Sequence, residues 1–150
     1  TYGVLYNWPA ALTACPPGWH LPSDEEWTQL ENNLIANGYN YDGTTEGNKI
    51  AISLASANGW SSSTNTGTIG NTNPAYDAYR NKSGFSALPG GCRHYYGPFL
   101  GIEYYGYWWS STQGYTTDYA WNRDLYYSSS YVYRGSYAKE YGFSVRCLRD

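Results

Sequence analysis

The chain has 150 residues, a formal net charge of −3 at pH 7 and a charged fraction of only 14%. This length suits a single domain over residues 1–150 with a sizeable core. The mild negative charge, without a stripe of Lys or Arg, argues against nucleic acid as a partner. No apolar run approaches the ~20 residues of a membrane-spanning helix, so membrane insertion is not expected.

The first part of the chain predicts one strand and one helix. Residues 2–8 (YGVLYNW) predict a strand that stops at a proline. Ser23 and Glu26 have the spacing of a capping box, and apolar residues follow at helical spacing. A helix is therefore expected over residues 24–36, with Trp27 in the core. No leader is visible before these elements, and the chain is expected to be fused to further domains in its parent protein.

The middle of the chain has weaker signals. A second helix is predicted over residues 46–56, although glycine and serines weaken the pattern. Residues 60–73 form a polar tract without periodicity, which predicts a long surface loop. Residues 84–88 alternate apolar and polar side chains, which predicts a short strand before a turn.

The last third of the chain predicts several antiparallel strands. They are expected over residues 107–112, 119–125, 131–134 and 143–148. Adjacent Trp108 and Trp109 must point to opposite faces of their strand, so one is assigned to the core and the other to the surface. Early helices followed by several short strands predict an α+β domain.

Tyrosine is concentrated in one segment. Residues 95–141 hold 13 of the 19 tyrosines, and Ser, Thr, Gly and Asn fill most of the gaps. Tyrosine offers a large, stiff contact area with a polar tip, and the small polar residues offer adaptable hydrogen bonds. This composition is typical of a recognition surface. We expect its ligand contacts to come from Tyr95, Tyr96, Tyr104, Tyr105, Tyr115, Tyr119, Tyr126, Tyr127, Tyr131, Tyr133 and Tyr137.

Three cysteines stand far apart, at Cys15, Cys92 and Cys147. None forms a CxxC pair, and no zinc set is apparent with the two histidines. One interpretation is a long-range disulfide between Cys15 and Cys147. The other is three buried, small apolar side chains, and the sequence leaves both open.

No convergent catalytic set is apparent, so neither an enzyme nor a cofactor is predicted. Asp24, Glu25 and Glu26 are explained as charges at a helix start. His20 is expected to be a buried or half-buried hydrogen-bonding side chain. Cys92 beside Arg93 and His94 is better explained as a structural cysteine than as a reactive thiol. Calcium takes six to eight oxygen ligands, which no cluster of acids here supplies, so no metal site is predicted.

Five segments in order resemble the Fibrobacter succinogenes major paralogous domain, an exported bacterial domain. They are YNWPAAL (6–12), CPPGWHLPSDEEWTQLE (15–31), NKSGFSALPGGCR (81–93), GYWWSST (106–112) and GFSVRCLRD (142–150). The WHLPSDEEW stretch also resembles a segment of formylglycine-generating-enzyme-like domains. Both resemblances imply a C-type-lectin-like fold, with two helices, a twisted antiparallel sheet and adjacent terminal strands.

Residues 95–141 also resemble the variable proteins of diversity-generating retroelements. Mutagenesis at template adenines turns AAC codons into Tyr, Ser, Asp, Gly, Thr and others, and the segment holds that mixture. The resemblance implies a hypervariable segment displayed outside the cell, on a bacterial surface or a phage particle, that binds a protein or glycan target. The alternatives are a carbohydrate-binding module of fixed specificity, a structural surface domain and a thiol-dependent oxidase.

Overall fold

A three-stranded antiparallel sheet is the centre of the α+β architecture in the computed structural model, which describes residues 2–150. The helices are α1 (Trp8–Ala11), α2 (Asp24–Ala36) and α3 (Ala51–Leu54), with a 3₁₀ turn at Pro74–Tyr76. The strands are β1 (Trp19–His20), β2 (Cys92–Arg93), β3 (Phe99–Leu100), β4 (Tyr105–Gln113), β5 (Tyr119–Tyr126), β6 (Tyr133–Ala138) and β7 (Leu148–Arg149). The central sheet has the order β4-β5-β6, and β1-β7 and β2-β3 form two-stranded antiparallel pairs.

Helix α2 has the predicted bounds. The Ser23 hydroxyl accepts a hydrogen bond from the Glu26 backbone N–H, and the Glu26 carboxylate accepts one from the Ser23 N–H. Trp27 and Leu34 are buried on its inner face, which confirms the assignment of Trp27 to the core. None of the helices in residues 2–150 is long and apolar enough to cross a bilayer.

The predicted helix over residues 46–56 is wrong in extent, since only the single turn of α3 forms there. Asn40 explains the difference, because its side-chain amide donates to the carbonyls of Thr44, Glu46 and Gly47. The Lys49 N–H donates to the Asn40 side-chain oxygen in return. These bonds satisfy the backbone in a loop, and Gly47 has a left-handed φ of 73° that a helix cannot include.

Two of the predicted strands also shrink to single bridges. In residues 2–8 only Tyr6 pairs, with Phe143, because Asn7 caps α1 and Pro9 lies in its first turn. In residues 84–88 only Ala87 pairs, with Ala55. The strand predicted over residues 143–148 is likewise wrong in extent, since Phe143 and Ser144 form isolated bridges, residues 145–147 are irregular, and β7 starts only at Leu148.

The polar tract over residues 60–73 is irregular, as predicted, but it does not lie wholly on the surface. Residues 67–70 are buried, and Ile69 belongs to the helix-side core defined below. The Gly70 N–H donates to the Tyr127 carbonyl at 2.8 Å, which ties this loop to the end of β5. Trp60 at the start of the segment also packs against this core, so two apolar side chains anchor a segment whose composition is otherwise polar.

Strands β4 and β5 extend the predicted strands by one or two residues at their ends, while β6 starts two residues late. Trp108 and Trp109 do point to opposite faces, but the prediction that one reaches the surface is wrong, because both are buried. Each belongs to a different core. The helix-side core contains Trp27, Leu34, Ile50, Ala51, Leu54, Ala55, Ile69, Ala87, Trp108, Leu125 and Val132. The Phe143 core contains Ala11, Leu21, Cys92, Trp109, Ala120 and Phe143.

Buried Arg123 holds α2 against the helix side of the sheet. It is 1% exposed, and its guanidinium donates to Asp24 at 2.6 Å and to Glu31. Arg134 on the neighbouring strand donates to the second oxygen of Asp24 at 2.8 Å. Partial burial of Asp24 opposes the effect, but hydrogen bonds from Arg134 and Arg123 keep the pKa of this carboxyl below its ordinary value.

A disulfide joins Cys15 to Cys147, so the structure has the long-range bridge, and the interpretation of three buried thiols is wrong. The pairing of β1 with β7 runs beside it, as does the bridge between Tyr6 and Phe143. Cys92 is a free, buried thiol. The first and last parts of the chain are therefore fastened together next to the Phe143 core.

Candidate binding surface

The face of the central sheet that lies on the Phe143 core carries the tyrosines. Cross-strand partners share a face, and the register places Tyr105 opposite Tyr126, and Tyr107 opposite Asp124. On the other side of β5, Asp124 lies opposite Tyr133, and the pairing continues along β6. The face therefore consists of Tyr105, Tyr107 and Trp109 on β4, Ala120, Asn122, Asp124 and Tyr126 on β5, and Tyr133, Gly135 and Tyr137 on β6.

Nine tyrosines form one continuous series of ring contacts, which we call the tyrosine band. Neighbouring ring centroids lie 3.9 to 5.9 Å apart. In contact order the band is Tyr104, Tyr127, Tyr126, Tyr105, Tyr107, Tyr137, Tyr141, Tyr95 and Tyr96. Such edge-to-face and offset contacts order aromatic rings beyond simple area burial.

Both ends of the tyrosine band are exposed and its middle is half-buried. Tyr96 is 77% exposed at one end, and Tyr104 is exposed at the other. In between, Tyr107 stacks on Phe143 at 4.7 Å and Tyr137 contacts the same ring edge-on at 5.4 Å. Burial raises the pKa of both of these phenols, so they stay neutral. The band is thus anchored in the Phe143 core.

The other four predicted contact residues lie around the tyrosine band. Tyr119 shares a recess of about 570 Å³ with Tyr95, Tyr137 and Tyr141. Tyr115 is 82% exposed. It contacts Trp121 edge-on at 4.5 Å, on the far side of Tyr119.

Tyr131 and Tyr133 form a pair at the start of β6 with no ring contact to the band. The band together with Tyr115, Tyr119, Tyr131 and Tyr133 is called the tyrosine surface below.

Two members of the band, Tyr107 and Tyr141, were missed among the predicted contacts. Tyr107 belongs to the YWWSST stretch, which was interpreted only as a strand, but its spacing of two from Tyr105 places both on one face. Tyr141 hydrogen-bonds to His94 Nε2 at 2.9 Å, and His94 stacks on Tyr95 at 4.3 Å. That contact joins residues 47 positions apart, so no local signal could reveal it.

Two buried polar side chains lie in the middle of this face. Asp124 is 9% exposed, and burial raises the pKa of its carboxyl to about 6. Its hydrogen bond comes from Asn122 Nδ2 at a long 3.4 Å. Asn122 is fully buried, and its Oδ1 atom has no hydrogen-bond partner. Buried polar atoms in folded proteins are normally paired, so this unpaired oxygen requires an explanation.

The residues considered as catalytic candidates take part in contacts that stabilise the fold. Burial raises the pKa of the Cys92 thiol, which keeps it protonated, and Cys147 is in the disulfide. His20 Nδ1 lies 2.6 Å from Asp150 and its Nε2 3.0 Å from Glu26. Hydrogen bonds that the ring donates to Asp150 and to Glu26 raise the pKa of His20, and its hydrogen-bonded, half-buried position lies within the prediction. Within residues 2–150 no three His, Cys, Asp or Glu side chains are grouped as metal ligands.

The fold and this surface define a small α+β domain with antiparallel sheets that presents clustered aromatic rings. The family model of the Fibrobacter succinogenes major domain matches residues 1–149, and the chain belongs to that family. The family resemblance seen in the five sequence segments is therefore confirmed. No curated protein and no solved structure matches the chain.

Proposed function

We propose that this chain is a ligand-binding display domain of the C-type-lectin-like fold, and that it holds a protein or glycan target through the tyrosine surface. The observation that carries this proposal is the tyrosine band, a series of nine rings in which each contacts the next. The domain that carries it is closed by the disulfide between Cys15 and Cys147. Binding would be non-covalent, without a cofactor and without an enzymatic step.

The physical advantage of such a surface lies in low entropic cost. A tyrosine ring brings a large contact area while only two side-chain torsions must be fixed. Rings that already contact one another lose less freedom still when a partner arrives. The band rests on Tyr107 and Tyr137, which Phe143 holds from below, so its rings are ordered before a target binds.

The lectin-like fold is supported by the way the chain closes on itself. The pairing of β1 with β7 and the disulfide place early and late segments side by side, as that fold requires. Helix α2 packs against the central sheet through Arg123. The second helix that the fold implies is present only as the single turn of α3.

Diversification of residues 95–141 by a retroelement is supported by the division between exposed and buried positions. Three segments low in tyrosine are buried apart from the half-buried Ser144, namely Trp108-Trp109-Ser110, Ala120-Trp121-Asn122-Arg123 and Gly142-Phe143-Ser144. The exposed tyrosines of residues 95–141 all lie outside these three segments. The test is the neighbouring DNA, where a near-copy of these codons with AAY at the tyrosine positions should lie beside a reverse transcriptase gene.

We further propose that the domain works outside the cytoplasm, on a bacterial surface or a phage particle. The disulfide between Cys15 and Cys147 supports this location, because such bonds persist in oxidising compartments. Mass spectrometry of the protein isolated from its native source would detect either the bridge or two free thiols. Free thiols in the native protein would contradict the location.

The binding proposal is tested by removing exposed rings. A triple Tyr96→Ala, Tyr104→Ala, Tyr115→Ala variant should lose the hits that the unaltered protein gives on a glycan array and against a displayed peptide library. Its midpoint of thermal unfolding should stay nearly unchanged, because these rings are exposed. Tyr76→Ala, which removes a half-buried tyrosine outside the surface, is the matched control and should keep the hits. Retained binding by the triple variant would overturn the proposal.

A second candidate function is a carbohydrate-binding module of fixed specificity. The recess of about 570 Å³ favours it, because four tyrosines line it together with the exposed Glu140, namely Tyr95, Tyr119, Tyr137 and Tyr141. Rings of this kind stack on sugars without a metal. A single clear glycan hit, lost in Tyr119→Ala and in Tyr137→Phe, would favour this function over diversified recognition.

A further inference from the structure

Asp124 occupies the centre of the tyrosine surface without a cationic partner. Tyr107 lies opposite it on β4, and Tyr133 lies opposite it on β6. Asn122 and Tyr126 flank it along β5 on the same face. A carboxylate in this position has lost most of its water, and one long hydrogen bond from Asn122 does not replace that hydration.

The three basic residues within residues 95–141 all contact groups other than Asp124. Arg123 and Arg134 donate to Asp24 on the opposite face of the sheet. The Lys139 ammonium donates to the Thr117 carbonyl and lies 4.3 Å from the Trp8 ring centroid. Within residues 2–150 no Lys, Arg or His nitrogen comes within 4.0 Å of the Asp124 carboxylate. The charge of Asp124 therefore has no counterpart inside the protein.

The unpaired oxygen of Asn122 lies against the backbone of Gly135, at the place where another residue would carry its Cβ. A Cβ at Gly135 would lie 2.7 Å from Asn122 Oδ1 and 2.9 Å from the Tyr137 ring, closer than side chains approach one another. Gly135 itself is partly exposed, in contrast to Asn122 beneath it. The absence of a side chain at Gly135 thus leaves room for the Asn122 amide oxygen and the Tyr137 ring, and the Nδ2 atom of the same Asn122 amide donates to the Asp124 carboxylate.

Resting on the proposed function, we propose that this centre binds one basic side chain of a protein target, with a guanidinium or ammonium group on Asp124 and Asn122 Oδ1. Two adjacent acceptors require a cation that carries N–H donors, and the fork of arginine presents several in one plane. The surrounding phenol rings add cation–π attraction. A quaternary ammonium such as choline has no N–H group and would leave Asn122 Oδ1 unpaired.

Between pH 5 and 8, the binding of a cation at this centre should depend on the ionisation of Asp124 alone. The groups that face Asp124 are Tyr105 and Tyr107 of β4, Tyr126 of β5, and Tyr133 and Tyr137 of β6, with the Cys92 thiol near Tyr107 and Tyr137. Phenols and a buried thiol are uncharged between pH 5 and 8. With a pKa of about 6, the ionised fraction of Asp124 falls about tenfold between pH 7.5 and pH 5. Cation binding should weaken by about the same factor.

The test uses matched small probes followed by NMR. At pH 7.5, N-acetyl-arginine amide should bind saturably and shift the backbone amide signal of Gly135. N-acetyl-citrulline amide, its uncharged isostere, should bind at least about tenfold more weakly, as should choline. Asp124→Asn should lose the difference between the arginine and citrulline probes, while Glu25→Gln, which removes an exposed carboxylate on α2, should keep it.

Three outcomes would overturn this inference. The first is equal binding of the arginine and citrulline probes, and the second is unchanged arginine binding in Asp124→Asn. The third is stronger binding of choline than of arginine, which would mean that the site takes a quaternary ammonium group. If Asp124→Asn does not fold, the arginine probe is titrated into the unaltered protein at pH 7.5 and at pH 5, and equal binding at the two pH values would overturn the inference. The proposed function fails separately, through the Tyr96, Tyr104 and Tyr115 triple variant. If that variant loses its target while Asp124→Asn keeps it, only the present inference is wrong.

Discussion

Asp124 should lower the stability of the folded protein at neutral pH. Its pKa of about 6 lies above the ordinary aspartate value of 3.8, so the folded state binds the proton more tightly than the unfolded state does. The cost of the ionised form is fully present above pH 6 and disappears as the pH falls below 3.8. A carboxyl that destabilises its own fold at the pH of use is a frequent property of binding sites.

We therefore expect Asp124→Asn to raise the free energy of unfolding by about 2 kcal/mol at pH 8 and by less than about 1 kcal/mol at pH 4. Urea unfolding at the two pH values measures the difference. Glu25→Gln is the control and should change little at either pH. A loss of stability in Asp124→Asn at pH 8 would mean that the carboxylate has a stabilising partner in the folded protein.

Phe143 and Tyr96 are expected to behave as opposites, although both belong to the aromatic system. Phe143 is fully buried and supports Tyr107, Tyr137 and Trp109. Phe143→Ala should cost about 3–5 kcal/mol of unfolding free energy, because it leaves a cavity under the tyrosine band. Tyr96→Ala should change it by less than about 0.5 kcal/mol. Thermal unfolding of the two variants checks this, and a large loss in Tyr96→Ala would show that the ring is structural.

Helix α2 depends on its first turn. Ser23→Ala removes the hydroxyl that accepts from the Glu26 N–H and should cost about 1 kcal/mol of unfolding free energy. Ser56→Ala removes a hydroxyl that donates to the Asn58 carbonyl outside any long helix, and it is the matched control with an expected change below about 0.5 kcal/mol. Chemical denaturation measures both. Equal effects of the two substitutions would mean that the capping box does not stabilise α2.

The comparison of α2 with α3 explains which elements the sequence could predict. Helix α2 carries its start signal, its apolar spacing and its stop within 16 residues, Ser23 to Gly38, so a local pattern was sufficient. Residues 46–56 also show helical apolar spacing, but the Asn40 side chain and Gly47 keep the first half of the segment in a loop. A side chain that competes for backbone carbonyls from six residues away leaves no periodicity to find.

For the strands and the tyrosine surface as well, local features could be predicted from the sequence and long-range contacts could not. Strands β4 and β5 were predicted close to their observed bounds, and the pool of candidate tyrosines was chosen from composition. The central position of Asp124 was not, because it follows from the register of β5 with both of its neighbours. Asn122 and Asp124 appeared in the sequence only as part of a strand that also contains buried Arg123. Register is set by turns and packing across the whole sheet.

The disulfide fastens the molecule as a whole, because Cys15 and Cys147 are 132 residues apart. Closing so long a loop restricts the unfolded chain, and its removal should cost about 2–5 kcal/mol of unfolding free energy. A Cys15→Ala, Cys147→Ala double variant should show this loss in chemical denaturation. The same loss should appear in the unaltered protein once dithiothreitol has reduced the bridge.

The double variant also serves as the control for reduction. Dithiothreitol should not change its stability further, since Cys92 has no partner to release. If the unaltered protein keeps its full stability after thiol labelling has shown both bridge cysteines to be reduced, the bridge does not stabilise the folded state. The pairing of β1 with β7 and the contact of Tyr6 with Phe143 would then be sufficient to hold the two ends of the domain.

The central sheet separates two interiors, with Trp108 on one side and Trp109 on the other. Alternate residues of β4 therefore pack against different cores. A substitution at Tyr107 or Tyr137 acts directly on Phe143, while Trp27 and the rest of the helix-side core lie beyond the opposite face of the sheet. Side chains on one face can therefore be replaced without direct contact with the core that packs against the other.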